Sequence, residues 1–414
     1  MLRKRRPRYS PSAQRELRRR SDPTMTTRHC RVAIIGGGVI GLSLARELAG
    51  DGVEDVVLIE HLGAPGRGST AKANGGIRAQ FTTRSNIEFS LYTIHELEKL
   101  QRDTDGLPGF IQAGYLLFTG TEQGEAGLRT GYELQRECGV DVEWLSPAEV
   151  LAKAPFVRGD GLRAGTFHER DGLIDPHGVV QAMWDQVKAT SVDLLFDHEV
   201  TSIDMDPTPS SLIVRGPGPG TIKLEAEWVV NAAGPDAKDV AALCGVDLPC
   251  EPVRRNLACT DPVSGYPAVI PMCVDLDTGV LIRRESAGFL IAYSNPDDLP
   301  GTDTSLDPNF LSELAERIGN RFPFLEDAGI HERGCWAGLY PETPDHHAIV
   351  GPTPGLPRLL HSVGFGGHGI MHSIAAARAL ADYVQFGESR VLDIGPLRLE
   401  RFAEGDLIVE SAVL

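Results

Sequence analysis

The sequence contains no run of about 18 consecutive apolar residues, the length that a transmembrane helix needs, so it predicts no membrane span. Cysteine is scarce: seven in 414 residues, with no C-x-x-C pair, argue against a disulfide framework or a zinc ribbon and favour a reducing compartment. The 40 Lys and Arg are outnumbered by 57 Asp and Glu, and the net charge of −17 disfavours nucleic acid as a partner. The apolar fraction of 42% is typical of a globular chain, and we expect a cytoplasmic protein.

Basic residues are concentrated at the amino terminus. Residues 1–28 contain ten Lys and Arg against two acidic residues, a net charge of +8, so the rest of the chain carries −25. No apolar segment follows the basic run at residues 3–6, which excludes a secretory signal. A transit peptide and a nucleic-acid-binding or membrane-binding tail remain open. We expect residues 1–28 to be a disordered basic leader outside the fold, or translation to begin naturally at Met25.

Two apolar runs around a helical pattern predict a β-α-β unit near the start of the fold. Residues 32–35 and 56–59 are continuous apolar runs typical of buried strands, and residues 40–49 have helical spacing. Such a unit implies a parallel sheet. Further helical patterns cover residues 85–102, 122–138, 176–189, 309–321 and 369–385, and strand-like segments include residues 112–118, 228–232, 281–283, 288–293 and 359–363.

The turn inside this unit has the pattern of a dinucleotide-binding site. Gly36, Gly38 and Gly41 fit G-x-G-x-x-G, and the second strand ends at Glu60. The glycines permit a tight turn, close approach of a pyrophosphate and close packing of the helix on the sheet, while the helix N-terminus attracts phosphate. A carboxylate at Glu60 would accept hydrogen bonds from ribose hydroxyls and repel a 2′-phosphate, which disfavours NADP. The unit alone does not separate FAD from NAD.

Three further segments resemble the glycine/sarcosine/D-amino-acid oxidase superfamily. They are residues 68–81 (GSTAKANGGIRAQF), 229–235 (VVNAAGP), and 338–345 (GLYPETPD) followed by 364–369 (GFGGHG). Their order and spacing agree with that superfamily over residues 30–390. The chain is most similar to the group of the sarcosine oxidase β-subunit, dimethylglycine dehydrogenase and dye-linked L-proline dehydrogenase.

The resemblance implies an α/β fold: a Rossmann-like FAD-binding domain of the glutathione-reductase type in separate segments, with an inserted α+β substrate domain that contains an antiparallel sheet. The FAD-binding segments would be residues 29–105, 166–250 and 336–390, the substrate segments 106–165 and 251–335, and the C-terminal tail 391–414. The residues expected to contact FAD are Gly36, Gly38, Val39, Ile40, Gly41, Glu60, Ser69, Thr70, Gly76, Val200, Ala233, Gly234, Gly367, Gly369, Ile370 and Met371.

The resemblance also implies two catalytic residues, Arg78 and His368. Arg78 aligns with an arginine that clamps the substrate carboxylate in monomeric sarcosine oxidases, although a surface arginine in an ion pair is the alternative. His368 aligns with a histidine beside the flavin, although a structural histidine is equally open. Weaker candidates for the substrate site are Arg283, Arg284, Tyr293 and Tyr340.

The sequence departs from its relatives at positions that bear on the chemistry. Met371 stands where monomeric sarcosine oxidases have a second carboxylate-binding lysine, and Gly338 stands where they have the flavin-linking cysteine. Residues 69–72 lack the histidine through which dimethylglycine dehydrogenase attaches its flavin, so we expect non-covalent FAD. No lysine matches the oxygen-activating one, which favours a dehydrogenase over an oxidase. No carboxylate or cysteine joins the neighbouring histidines in a metal-binding pattern, so no metal site is expected.

We therefore expect a FAD-dependent enzyme that oxidises the C–N bond of a small secondary or tertiary amino acid by hydride transfer to flavin N5, giving an imine that hydrolyses. The alternatives are a FAD-dependent 2-hydroxy-acid dehydrogenase, a non-catalytic flavoprotein subunit or assembly factor, and an NAD-dependent Rossmann enzyme. The NAD reading leaves residues 69–78 and 364–369 unexplained. The electron acceptor (O2, a quinone or a partner flavoprotein subunit) and a homo- or hetero-oligomeric state remain open.

Overall fold

The structure is a computed structural model, and it describes residues 25–206, 208–295 and 297–410. The strands are β1 (Met25–Ile35), β2 (Val56–Ile59), β3 (Gly76–Ile77), β4 (Tyr115–Thr119), β5 (Glu143–Leu145), β6 (Ala164–His168), β7 (Gly172–Leu173), β8 (Asp193–Leu195), β9 (Glu199–Asp204), β10 (Ser210–Arg215), β11 (Thr221–Asn231), β12 (Glu251–Cys259), β13 (Met272–Asp275), β14 (Val280–Glu285), β15 (Gly288–Ala292), β16 (Trp336–Glu342), β17 (Ile349–Thr353) and β18 (Leu356–Val363). The α-helices are α1 (Val39–Gly50), α2 (Arg84–Asp103), α3 (Glu122–Glu137), α4 (Pro147–Lys153), α5 (Pro176–Val187), α6 (Ala237–Ala242), α7 (Phe310–Ile318), α8 (Gly369–Phe386) and α9 (Arg401–Glu404).

The first sheet forms the core of the predicted nucleotide-binding domain. Its order is β17-β18-β11-β1-β2-β8, and β10 and β9 extend it from β11. β1 pairs in parallel with β2 and β11, and β11 pairs in parallel with β18. The apolar run Val32–Ile35 is buried on both faces: Val32 and Ile34 pack against the helices, and Ala33 and Ile35 pack on the opposite side. Helices α1, α2 and α8 pack against one another over the first face.

The second sheet forms the inserted domain, in the order β16-β12-β15-β14-β13-β4-β6-β5. Its pairs are antiparallel except for the parallel pair of β13 and β4. Side chains alternate along β4: Leu116 and Phe118 pack in the cluster that includes α7, whereas Tyr115 and Leu117 lie on the other face. The fold class predicted from the sequence is confirmed.

Segment boundaries differ from the sequence-based expectation in three places. The last four residues of the expected leader (1–28) belong to β1, because Met25 to Arg28 pair with Thr221 to Leu224. These residues have no apolar pattern that would predict a strand. Residues 1–24 lie outside the described residues. β16 falls in the expected FAD-binding segment 336–390 but pairs with β12 in the second sheet. β6 crosses the boundary expected at residue 165. Among the described residues, no helix is long and apolar enough to cross a membrane.

Candidate functional site

Four parallel strands bring the glycine-rich loops of the chain to one edge of the first sheet. β2, β1, β11 and β18 are neighbours and run in the same direction, so the loops that follow them leave from the same side. The carboxyl edge of such a sheet is where nucleotides bind in doubly wound folds. The predicted contact segments 36–41, 233–234 and 364–369 therefore converge there, because the parallel pairing of β1 with β11 and of β11 with β18 brings together parts of the chain that are far apart in sequence.

The glycine-rich turn after β1 is shaped by the close approach of backbone to backbone. Gly36 has a φ of +115°, and a Cβ there would lie 2.3 Å from the carbonyl oxygen of Ala232. A Cβ on Gly41 would lie 1.9 Å from the carbonyl oxygen of Gly36, so helix α1 can approach the turn only without a side chain. Gly38 differs, because its nearest neighbour would be Thr70 Oγ1 at 3.4 Å. A side chain at Gly38 would therefore fit the protein and occupy the space in front of the turn.

The N-terminus of α1 faces this space. No side chain caps the helix at Gly38, and the Val39 amide donates to Thr70 Oγ1 at 3.2 Å. The partial positive charge of a helix N-terminus and its free amide groups are suited to bind phosphate. Thr70 belongs to the short 3-10 turn Ser69–Lys72, which Ser69 fastens to the second sheet by donating to the Leu339 carbonyl at 2.6 Å.

Glu60 is held beside the same turn and is 7% exposed. One carboxylate oxygen accepts from the Gly37 amide and the other from the Leu62 amide, both at 2.7 Å. These bonds fix the orientation of the carboxylate and leave each oxygen a further lone pair for a ribose hydroxyl. The His198 amide donates to the Glu60 carbonyl at 3.0 Å, so the start of β9, which contains Val200, lies next to Glu60.

The remaining predicted cofactor residues lie around the loops after β11 and β18. Gly234 has a φ of +56°, and the Ala233 amide donates to Asn231 Oδ1 at 3.2 Å. Gly367 lies against Tyr340, whose ring a Cβ on that glycine would approach to 2.7 Å. Helix α8 begins at Gly369, with no side-chain cap. The next two residues, Ile370 and Met371, are 7% and 5% exposed and pack in the core beneath the loop.

Arg78 is fully buried, with 1% of its surface exposed. Its Nη1 donates to the Gln80 carbonyl, and its guanidinium carbon lies 3.9 Å from the centre of the Phe81 ring. Burial lowers the pKa of Arg78, and the neighbouring Tyr115, Glu410 and Asp171 act in the opposite direction. The alternative interpretation, an arginine in a surface ion pair, does not fit this burial.

His368 also contacts the Phe81 ring. The two rings meet edge to face at 4.9 Å, and the ring of His372 is 5.7 Å from that of His368. Burial, with the positive charge of Arg78 nearby, lowers the pKa of His368 well below its usual value, and burial lowers that of His372 to about 3. Both imidazoles are therefore neutral at pH 7.

One face of the second sheet packs over Gly76 and Arg78. A Cβ on Gly76 would lie 2.3 Å from the Tyr115 hydroxyl and 3.1 Å from Met272, so both side chains contact this backbone closely. Arg283 lies on the same face of β14 as Leu281, which packs with Tyr115 and Met272. Arg283 also lowers the pKa of Tyr115, against the larger effect of burial.

Two weaker candidates lie on the opposite face of that sheet. Tyr293 stacks on Phe310 at 5.4 Å and bonds to Glu313, so it is a core residue rather than part of a substrate roof. Arg284 lies over the Phe289 ring at 4.8 Å in the same cluster. The sequence could not show which side chains of the second sheet face the first domain, because that depends on how the strands pair and pack.

A buried polar network next to Arg78 was not predicted. Asp171 accepts from His168 Nδ1 at 2.6 Å, from the Ala79 amide at 2.8 Å and from Gln80 Nε2 at 3.1 Å. The network fixes the backbone that follows β3, next to Arg78. His168 and Asp171 are three residues apart, a spacing too common to indicate a site without the pairing of β3 and β7.

Comparison with known proteins then decides the family. A family model described as DAO, FAD dependent oxidoreductase, matches residues 31–383. The chain belongs to this family. The chain is 29% identical to FAD-dependent oxidoreductase domain-containing protein 1 of Xenopus laevis, and the match covers 92% of this chain and 84% of that protein. The crystal structure of L-proline dehydrogenase from P. horikoshii has a TM-score of 0.84 and 25% identity, covering 92% of this chain and 100% of that one.

Mitochondrial dimethylglycine dehydrogenase of Rattus norvegicus is a further relative of this FAD-dependent oxidoreductase. It is 28% identical over 86% of this chain, but only 43% of its own length is covered. The resemblance inferred from the sequence is confirmed, and the cofactor of the family is FAD. The N-terminus of α1, the space in front of Gly38 and the oriented Glu60 carboxylate are suited to a dinucleotide of this kind.

Proposed function

We propose that the protein oxidises the C–N bond of a small secondary or tertiary amino acid. The observation that carries the proposal is a cluster beneath the second sheet in which the buried guanidinium of Arg78 lies near the neutral imidazole of His368, with the Phe81 ring in contact with both. Bound FAD would supply the two-electron acceptor for the substrate hydride. The names of the relatives, which include a proline dehydrogenase and a dimethylglycine dehydrogenase, support this substrate class.

The cofactor contacts follow from the geometry of the sheet edge. The pyrophosphate would lie at the α1 N-terminus in front of Gly38, and Glu60 would accept from the ribose. The flavin ring would reach Gly76 and the Gly367 loop beneath Tyr115. Attachment would be non-covalent, because position 338 is glycine and packs against Lys72.

Arg78 would hold the carboxylate of the substrate. A guanidinium offers paired donors that match a carboxylate, and burial strengthens the interaction by excluding water. Arg283, on the same face of the second sheet as Tyr115, would add positive charge near Arg78. The nearest buried carboxylate, Asp171, is occupied by donors from His168, Ala79 and Gln80 and is therefore not positioned to replace the substrate.

Neutral histidines favour an amine substrate in its reactive form. An amine gives up hydride from the neighbouring carbon only when its nitrogen lone pair is free, so the ammonium proton must leave first. The substrate would bind as the free amine, its proton having passed to water, and His368, held neutral by burial, can accept a hydrogen bond from the nitrogen. Loss of hydride and proton leaves an imine, which water hydrolyses to a carbonyl compound and the shorter amine.

The test is anaerobic reduction of the FAD-loaded protein. We expect the visible flavin absorption to bleach on addition of sarcosine, dimethylglycine or proline, and not with 2-hydroxyglutarate. Readmission of air would then separate an oxidase from a dehydrogenase. Bleaching by the hydroxy acid alone would replace the amine proposal by the 2-hydroxy-acid alternative, and no bleaching with any compound would favour a non-catalytic flavoprotein.

Variants at two arginines locate the substrate. R78K keeps the charge but loses the paired donors, and we expect it to raise the substrate concentration for half-maximal bleaching about tenfold to a hundredfold. R170K is the matched control, because Arg170 is an exposed arginine paired with Glu98. Equal behaviour of R78K and the unmodified protein would remove Arg78 from the substrate site.

A further inference from the structure

The Tyr115 side chain reaches from the second sheet onto the segment that carries Arg78. A Cβ on Gly76 would lie 2.3 Å from the Tyr115 hydroxyl, so this hydroxyl occupies the place of a side chain at position 76. Arg78 follows Gly76 by two residues, the spacing that puts side chains on the same face of an extended chain. The hydroxyl and the guanidinium therefore lie on the same side of this segment, one from each domain.

The backbone of Tyr115 is fixed in place on several sides. Tyr115 pairs with Met272 in β13 and with His168 in β6. Its carbonyl also accepts a hydrogen bond from Gln80 Nε2 at 2.9 Å, and Gln80 follows Arg78 by two residues. The tyrosine is thus tied both to its own sheet and to the loop of the arginine. A donor held in this way binds a ligand at little further cost in conformational entropy.

The Tyr115 hydroxyl has no hydrogen-bond partner among the described residues, although the residue is only 1% exposed. Buried tyrosine hydroxyls usually have a partner, because burial removes the water that would otherwise bond to them. This hydroxyl is not one of the unpartnered polar atoms that the described part of the protein closes off from water. The small exposed surface of Tyr115 therefore includes the hydroxyl, and a ligand between the two domains can reach it.

The surroundings of the hydroxyl favour a negatively charged acceptor. Burial raises the pKa of Tyr115, Asp171 adds to that effect, and the nearby Arg78 and Arg283 act against it. The phenol is therefore protonated at pH 7 and can donate a hydrogen bond. The two carboxylates that lie near Arg78, Asp171 and Glu410, already accept from other donors. A carboxylate of a ligand would combine the attraction of the guanidinium groups with this hydrogen bond.

We propose that Tyr115 is a specificity-determining residue, which donates a hydrogen bond to the substrate carboxylate held by Arg78. The inference rests on the proposed amino-acid substrate, and it adds a contact from the second domain to the contact that the first domain supplies. An amino acid is then held between the two domains by its carboxylate. An amine without a carboxylate makes neither contact, so the pair selects amino acids over simple amines.

The test compares Y115F with the unmodified FAD-loaded protein in anaerobic flavin reduction by sarcosine and proline. Y115F keeps the ring over Gly76 and removes only the hydroxyl. We expect the substrate concentration for half-maximal reduction to rise about tenfold, while the limiting rate at saturation changes by less than about threefold. Y293F is the matched control, because Tyr293 lies on the opposite face of the same sheet and stacks on Phe310. Its kinetics should equal those of the unmodified protein.

Propionate gives a readout that needs no turnover, because it has a carboxylate and no amine. We expect titration calorimetry to show weaker binding of propionate to Y115F, by about the same factor, and unchanged binding to Y293F. A crystal structure of the unmodified protein with propionate should place the carboxylate within hydrogen-bond distance of the Tyr115 hydroxyl. Equal behaviour of Y115F and Y293F, a loss of limiting rate alone, or a carboxylate bound elsewhere overturns the inference. If no amino acid reduces the flavin, the proposed oxidation fails, and propionate binding still decides whether Tyr115 contacts a carboxylate.

Discussion

Replacement of Arg401 by methionine tests how the C-terminal segment is held against the site. Arg401 and Asp345 have fully buried side chains and form a paired interaction, Nε to Oδ2 at 2.7 Å and Nη2 to Oδ1 at 2.9 Å. Arg401 also donates to the His347 carbonyl at 2.8 Å. R401M leaves a buried carboxylate without its cation, and removal of one partner of such a pair costs about 3–5 kcal/mol. We expect the free energy of unfolding to fall by that amount.

The measurement is denaturant unfolding of the FAD-loaded protein at pH 7, with D345N and the double variant D345N/R401M completing a cycle. The double variant should lose less than the sum of the single variants, because no unpaired buried charge remains. Burial raises the pKa of Asp345, but the bonds from Arg401 outweigh it and hold the pKa below its usual value. A group with a lowered folded pKa stabilises the fold above its unfolded pKa, about 3.9, and the contribution is lost as the pH falls below that. Additive single effects, or a loss under about 1 kcal/mol for R401M, would refute this account.

Three further variants or conditions test other parts of the structure. G38A should fold normally, because a Cβ there meets only Thr70 at 3.4 Å, but should lose FAD; unchanged flavin retention after gel filtration would contradict the pyrophosphate position. The buried histidines should make the protein less stable as the pH falls from about 6.5, since the folded pKa of His372 is about 3 and the unfolded chain takes up protons first. H372Q should flatten that dependence in acid-unfolding curves. E410Q weakens the hydrogen bonds that the Glu410 carboxylate accepts from the Thr82 amide (2.8 Å) and the Thr83 hydroxyl (2.9 Å). We expect it to raise KM more than it lowers kcat, with E410D as the conservative comparison. An effect on kcat alone would argue against a role in positioning the loop that follows Arg78.

Local patterns in the sequence predict the nucleotide-binding unit closely. The helix expected over 40–49 spans Val39–Gly50, and the strands at 32–35 and 56–59 lie where the apolar runs place them. These features depend on neighbouring residues: a strand buried on both faces needs a continuous apolar run, and a tight turn needs glycine. The extension of β1 back to Met25 could not be predicted from local patterns, because its exposed residues form a strand through their pairing with β11.

The sequence did not predict the positions of side chains that depend on long-range strand pairing. Tyr115 covers Gly76 only because β4 presents alternate residues to the first domain, and the sequence alone could not tell which set faces inwards. The same ambiguity made Tyr293 a candidate for the roof, although it packs on Phe310 on the far side.

Arg78 shows how the two kinds of information combine. The resemblance identifies it as a candidate carboxylate clamp, and that motif says nothing about its surroundings. The structure adds that the guanidinium is buried, that the Phe81 ring contacts both it and the neutral His368, and that Asp171 accepts from the amide of the next residue, Ala79. Phe81 belongs to the same motif as Arg78, but His368 and Asp171 come from distant segments of the chain, so the electrostatic environment of the arginine is a property of the fold. The arrangement places a buried positive charge near an imidazole that burial keeps neutral, which is the basis of the proposed amino-acid substrate. A 2-hydroxy acid would use the same arginine for its carboxylate, so Arg78 does not separate the two substrate classes. The anaerobic reduction separates them, because it measures which compound bleaches the flavin.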